Sequence, residues 1–131
     1  MAAALVVQRL APVLMRPRLQ QSDMKDAADT YLAACFEHEI PPRATELAAH
    51  LQMSPSYFSR AFRKHVGKPL SAYLKDAQIV QAKYLLRTTS LSINGIAYRA
   101  GFGTRRGTFF RAFRRVTGIT PAQYREHSKD A

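Results

Sequence analysis

One segment of this chain recurs at a fixed offset of 51 residues. Tyr57-Phe58-Ser59-Arg60-Ala61-Phe62-Arg63-Lys64 returns as Thr108-Phe109-Phe110-Arg111-Ala112-Phe113-Arg114-Arg115. The register holds further on, where Gly67 pairs with Gly118 and Tyr73 with Tyr124. Phenylalanines four apart share one face of a helix, and an arginine midway between them points away from it. Each copy therefore encodes a helix with an aromatic inner side and a cationic outer side. Two such helices in 131 residues suit a long polyanion that can be gripped twice, and duplex DNA is the expected partner.

The charge is distributed to match. The formal net charge is +11, but residues 1 to 53 carry five Lys/Arg against six Asp/Glu, a net of −1. Residues 54 to 125 carry fourteen Lys/Arg and a single acid, Asp76, a net of +13. The positive field thus coincides with the repeated segment, which is the footprint of a nucleic-acid binder. A solubilising surface is the bland alternative, but such surfaces usually intersperse both signs. With 47% apolar residues and 13 aromatic ones, a core is feasible for one domain or two very small ones.

Other chemistry is thin. Cys35 is the only cysteine, so an internal disulfide is excluded and a reducing compartment is permitted. Its surroundings, Tyr31-Leu32-Ala33-Ala34-Cys35-Phe36, read as a buried helix face, and a core thiol explains it better than a nucleophile. Cys35 and His38 have a metal-like spacing, but a structural zinc site needs four ligands and His50 and His65 do not complete one. The Asp23, Asp26 and Asp29 group reads as a helix start or solvated face. No phosphate-cradling glycine loop, paired carboxylates or nucleophile–base pair is evident, so neither enzyme activity, cofactor nor metal is expected. No apolar run approaches the ~20 residues of a membrane span, and Arg9 and Pro12 interrupt the apolar start, which argues against a signal peptide.

The spacing predicts an all-α chain of about seven helices. Residues 1 to 21 are expected to be a poorly ordered tail or linker, with Leu5, Val6, Leu10, Val13 and Leu14 as a short amphipathic segment weakened by Pro12. Ser22 or Asp23 is a candidate cap for a helix to about Glu39, stopped by Pro41-Pro42. A short helix follows over Thr45–Leu51. Ser54-Pro55 opens a third, ending at Gly67. Pro69 opens a long helix through Leu86, with Leu70, Tyr73, Leu74, Ala77, Val80, Gln81, Tyr84 and Leu85 near its inner face. Ser92 caps a helix over Ile93–Ala100, Thr104 caps the next to about Thr117, and Thr120-Pro121 opens the last. The expected organisation is a tail at 1–21, a first subdomain with its linker helix at 22–87, and a second subdomain at 88–131.

Short helix, tight turn, cationic helix is the plan of a helix-turn-helix unit, whose second helix enters the major groove. Close packing of its two helices needs a small residue in the first, met by Ala48 and Ala97. The turn needs a residue that tolerates positive φ, which Gly101 does and Gln52 does less well. The inner face of the second helix is supplied by Phe58 and Phe62, then by Phe109 and Phe113. One such unit is a weak signal, and two at a fixed offset are a strong one.

At these residues the chain resembles the DNA-binding domain of the AraC/XylS family, over about residues 23 to 127. The most specific stretches are Ile96-Ala97-Tyr98-Arg99-Ala100-Gly101-Phe102, Phe109-Phe110-Arg111-Ala112-Phe113-Arg114 and Gly118-Ile119-Thr120-Pro121-Ala122-Gln123-Tyr124-Arg125. Leu47-Ala48, Ser54 to Phe62 and Gly67 resemble the first unit. The resemblance implies a linker helix over about 69–87 and sequence-specific promoter binding, commonly activation through contact with RNA polymerase. It also implies a cytoplasmic, nucleoid-associated bacterial protein. Many family members carry a separate sensing domain, so the expectation is either a stand-alone regulator or a fragment. One departure stands out: Gly101 to Phe113 is twelve steps where the family pattern has eleven.

A linker helix of about 18 residues spans roughly 27 Å, and successive major-groove faces lie roughly 34 Å apart. One chain is therefore expected to reach two adjacent grooves as a monomer, bending the DNA at a cost on the order of 1–6 kcal/mol. Ser56, Ser59, Arg60 and Lys64 lie off the phenylalanine face and are candidate base readers. Arg60 suits bidentate pairing with guanine, with a phosphate clamp as the alternative. Arg63 and Lys68 read as backbone contacts. In the second unit Arg105, Arg106 and Arg111 are the base-reading candidates, Arg114 and Arg115 the phosphate ones, and Thr104 sits at the helix start beside them. Phe110 is open between a core ring and a contact to thymine methyl groups. The expected function is sequence-specific regulation of transcription on double-stranded promoter DNA. The alternatives are a nonspecific architectural DNA binder, a partner-binding module and a methyl-transferring repair enzyme. The lone cysteine on an apolar face argues against the enzyme. The non-identical outer faces of the two units favour a specific, asymmetric site.

Overall fold

The computed structural model describes residues 21–129, and the side chains from Asp23. Seven α-helices and no strand are found among the described residues: α1 (Gln21–Glu37), α2 (Ala44–His50), α3 (Pro55–Val66), α4 (Leu70–Thr88), α5 (Ile93–Ala97), α6 (Arg106–Thr117) and α7 (Pro121–Lys129). The expected all-α class is the observed one. The apolar segment anticipated near Leu5–Leu14 lies outside the described residues. The chain divides into two compact units between Leu74 and Lys75, inside α4.

In the first unit, α1 buries Met24, Ala27, Ala28, Tyr31, Leu32, Ala34 and Cys35. These fall three and four apart, as a helix facing a core requires. Ser22 and Asp23 are not caps, because the helix is already under way at Gln21. It ends ahead of the two prolines. Glu39 adopts a left-handed φ of 57° and Ile40 N–H donates to the Cys35 carbonyl at 2.8 Å, a closure that satisfies a terminal carbonyl. Tyr31 is fully buried, and its hydroxyl serves α2. It accepts from Arg43 N–H at 2.9 Å and donates to the Arg43 carbonyl at 3.3 Å, just where α2 lacks a capping side chain. Cys35 is a buried free thiol, and desolvation pushes its pKa up to about 11. That is the state of a core residue, since reactive cysteines are depressed and exposed.

The second unit packs Ile79, Ala82, Leu85 and Leu86 of α4 against Ile96, Ala97, Ala100, Phe102, Phe109, Ala112 and Phe113. Ser92 caps α5 by accepting from Gly95 N–H at 3.0 Å, as its position predicts. Beyond α5 the chain widens into a π-type turn over Tyr98–Phe102, broken by Gly101 at φ 89°, ψ 13°. The buried Gln78 side chain donates to the Ala100 carbonyl at 3.2 Å and so satisfies a group inside that turn. Arg125 donates to the carbonyls of Leu86 (3.3 Å) and Thr89 (3.2 Å) at the end of α4. A cation there also suits the negative end of the helix dipole. Thr120 and Gln123 cap α7 reciprocally, at 3.1 and 2.9 Å.

The inner face expected for α4 needs correction. Val80 and Tyr84 are 63% and 53% exposed, whereas Gln78, Ile79, Ala82 and Leu86 are buried. The expectation merged two neighbouring stripes of the helix. The stripe through Leu70, Leu74, Gln78, Ala82 and Leu85 is the buried one. The stripe through Tyr73, Ala77, Val80 and Tyr84 turns outward along the helix.

Candidate nucleic-acid interface

Both repeated helices form as the sequence demands, and both are 12 residues long. In α3, Ser54 accepts from Tyr57 N–H at 3.1 Å and Pro55 occupies the first helical position. Gly67 and Gly118 close α3 and α6 in left-handed geometry, with φ of 88° and 82°. Phe58, Phe62, Phe109 and Phe113 are each 0% exposed. The ring pairs are near copies, Phe58–Phe62 at 6.0 Å and Phe109–Phe113 at 5.7 Å.

The repeated tyrosine has a double role. Tyr73 stands edge-on to Phe62 at 5.3 Å, and Tyr124 edge-on to Phe113 at 5.6 Å. The Tyr73 hydroxyl donates to Asp29 at 2.7 Å, while that of Tyr124 accepts from Arg87 at 2.8 Å. In each unit the tyrosine braces the recognition helix from behind, and its polar tip anchors it to a neighbouring helix. Asp29 lies on a solvated face as expected and also accepts from Tyr73, a bond that local sequence cannot signal because it joins residues 44 apart.

With the phenylalanines inward, the cations face out. Ser56, Ser59, Arg60, Arg63, Lys64 and Lys68 are all exposed, as are Thr104, Arg105, Arg106, Arg111, Arg114 and Arg115. On α3, Ser56, Ser59, Arg60 and Arg63 follow i, i+3, i+4, i+7 spacing and form one stripe. The 51-residue offset maps them onto Gly107, Phe110, Arg111 and Arg114 of α6. Neither helix has an acid in its first turn. Arg105 and Arg106 instead stand at the positive end of α6, where the helix dipole favours an anion. A phosphate at that end would balance both the dipole and the arginines.

The two turns differ. Ala48 and Ala97 are each 1% exposed and sit at the helix contact, as expected. The following turns take positive φ at Gln52 (56°) and Gly101 (89°). These pairs are 49 residues apart, whereas the recognition helices are 51 apart, so the second turn is two residues longer. The extra length buries Phe102, whose ring lies 5.2 Å from that of Phe109. It also moves the start of α6. Thr104 is not the side-chain cap it was expected to be. Arg105 occupies the cap position without a side-chain bond, and Thr104 contributes its carbonyl, which accepts from Arg106 N–H at 3.0 Å.

Among the described residues, no three His, Cys, Asp or Glu side chains gather as a metal site would require. No helix among them is long and apolar enough to cross a membrane.

Two short helices, each joined by a tight turn to a longer helix with an aromatic inside and a cationic outside, define a double helix-turn-helix DNA-binding domain. Residues 47–127 match the family described as a helix-turn-helix domain, and the chain belongs to the AraC/XylS-type regulators of that family. It is 34% identical over 132 residues to the transcriptional activator RhaR of Cronobacter sakazakii, covering 96% of this chain and 46% of that protein. It is 35% identical over 79 residues to the arabinose operon regulatory protein of Escherichia coli, covering 60% of this chain and 27% of that one. Among solved structures it resembles the DNA-binding domain of AdpA, a global transcriptional factor, in complex with a target DNA. That match has a TM-score of 0.68 and 29% identity, over 82% of this chain and 93% of that one. The chain spans less than half the length of these two curated relatives. The family is one of transcription regulators, not of enzymes.

Proposed function

We propose that this chain binds double-stranded promoter DNA in a sequence-specific way, as a monomer, with α3 and α6 in adjacent major grooves. The observation that carries this is the duplicated helix itself, with identical buried phenylalanines and different exposed stripes. Identical inner faces give two equivalent docking elements. Ser56-Ser59-Arg60 on one and Gly107-Phe110-Arg111 on the other present different chemistry, so the preferred site is asymmetric. The 19 residues of α4 correspond to about 28 Å of helix, of the order of one turn of duplex. Arg60, Arg105, Arg106 and Arg111 are assigned to bases, together with Ser56, Ser59 and Lys64. Arg63, Lys68, Arg114 and Arg115 are assigned to phosphates, with Thr104 at the helix start. Activation through contact with RNA polymerase, at the nucleoid, is the regulatory reading, supported by the kinship with a named transcriptional activator. Nothing favours the architectural alternative.

Affinity for a duplex of about 20 bp, measured against salt and paired with analytical centrifugation of the complex, tests the reading. The four phosphate cations alone give a slope of about −3.5 or steeper in log affinity against log salt, at roughly 0.9 per phosphate. One chain per site is expected. A flat salt response, or a strict need for two chains, contradicts it.

A further inference from the structure

On their outward stripes the two recognition helices differ most at one position. Where α3 has Ser59, α6 has Phe110, and that ring is 39% exposed. It is the one phenylalanine of the repeated helices that the core does not take, since Phe58, Phe62, Phe109 and Phe113 are all 0% exposed. Its ring lies 5.7 Å from that of the buried Phe109. Its neighbours on the outward stripe are Gly107, Arg111 and Arg114. Gly107 leaves room there. A Cβ added to it would lie 3.3 Å from Arg111 Nη1, so the Arg111 guanidinium lies back over the glycine, toward the start of α6. The result is a partly exposed apolar ring beside cations on the face assigned to DNA.

We propose that Phe110 is a specificity residue of the second unit and contacts the 5-methyl group of a thymine in the major groove, with Gly107 providing the space in which Arg111 folds aside. This rests on the DNA-binding reading above. The thymine methyl is the apolar group that base pairs display in the major groove, and Phe is among the side chains that meet it. Beside the ring, Arg114 supplies charge for an adjoining phosphate and Arg111 a donor fork for an adjoining base, neither of which an apolar protein partner would match. The first unit has a hydroxyl at the equivalent place, so the two half-sites are read by different chemistry.

The test removes the methyl group without touching the protein. A preferred duplex is first selected by the full chain. Each thymine in the half bound by the second unit is then replaced singly by uracil. At one position, or at two adjacent ones, the replacement is expected to weaken the wild-type chain about fourfold, the equivalent of one buried methyl-sized group at roughly 0.8 kcal/mol. Phe110→Ser should bind the thymine and uracil duplexes alike, and Phe110→Leu should retain part of the difference. If no uracil position weakens the wild type, or if Phe110→Ser keeps the full difference, the assignment of Phe110 is overturned. The uracil scan uses wild-type protein, so a folding defect in a variant cannot obscure it. A chain that selects no duplex at all would contradict the proposed function itself, a separate result from specific binding that ignores the methyl groups.

Discussion

Arg60 and Arg63 lie three residues apart on one exposed helix and carry the same charge, yet they are expected to behave differently. Arg60 projects opposite both Phe58 and Phe62, toward the groove floor if α3 docks by that face. Arg63 follows the buried Phe62 and lies nearer the end of the helix. Arg60→Ala should cost about 1–3 kcal/mol on the preferred duplex and blur the preference at one or two base pairs. Arg63→Ala should weaken all duplexes alike and lower the salt slope by about one. Competition against a panel of single-base variants at two salt concentrations separates the two. Equal weakening of every variant by Arg60→Ala would make it a phosphate contact and leave specificity in this unit to Ser56, Ser59 and Lys64. At this scale the exposure of the cations is legible in the sequence, because the Phe-x-x-x-Phe spacing alone dictates which side faces out. Their partners are not, since a base contact and a phosphate contact use the same guanidinium. Nor does the sequence decide the fate of Phe110, because adjacent phenylalanines can both be read as core until the helix is oriented.

At the scale of elements, each recognition helix is held by rings on its inner face. Phe62→Ala and Phe113→Ala should each destabilise the chain by about 3–5 kcal/mol, through the lost burial and the cavity left behind. Thermal melting checks this. Unchanged melting with loss of DNA binding would show that these rings face the DNA. The turns make a second contrast. Gln52 holds a left-handed φ of 56° that a side chain adopts at a cost, while Gly101 holds 89° without one. Gln52→Gly is therefore expected to raise stability by about 0.5–1 kcal/mol, and Gly101→Ala to lower it by about 1–2 kcal/mol. A melt in which both substitutions destabilise would mean that the Gln52 side chain contributes packing which outweighs its strain. The number and order of helices can be read from Pro, Gly and Ser at their boundaries. The errors arise where tertiary contacts overrule local signals. Thr104 has the look of a cap, but a turn two residues longer than its counterpart buries Phe102 and starts the helix at Arg106. Val80 and Tyr84 have the look of internal residues, but α4 serves two small cores in succession, and the stripe that packs Tyr73 against Phe62 is exposed by the time it reaches Val80 and Tyr84.

At the scale of the molecule, the sequence concentrates a net +13 in residues 54 to 125 and builds there the same docking element twice. On the proposed reading, duplication lets one chain contact DNA at two places without dimerising. On the same reading, divergence of the exposed stripes favours one orientation on an asymmetric site. The two-fold plan is legible in the repeat alone, because the repeat spans helix, cap glycine and bracing tyrosine in one register. What each half recognises is not, since it depends on which side chains share a stripe once the turns are set. Selection from a random duplex library by the full chain, followed by sequencing, tests the central claim most directly. The expected result is strong enrichment of one asymmetric site of about 20 bp, with two separate clusters of preferred bases roughly one helical turn apart. Uniform recovery of unrelated sequences, with affinity set by salt alone, would contradict it and identify the chain as a nonspecific architectural binder.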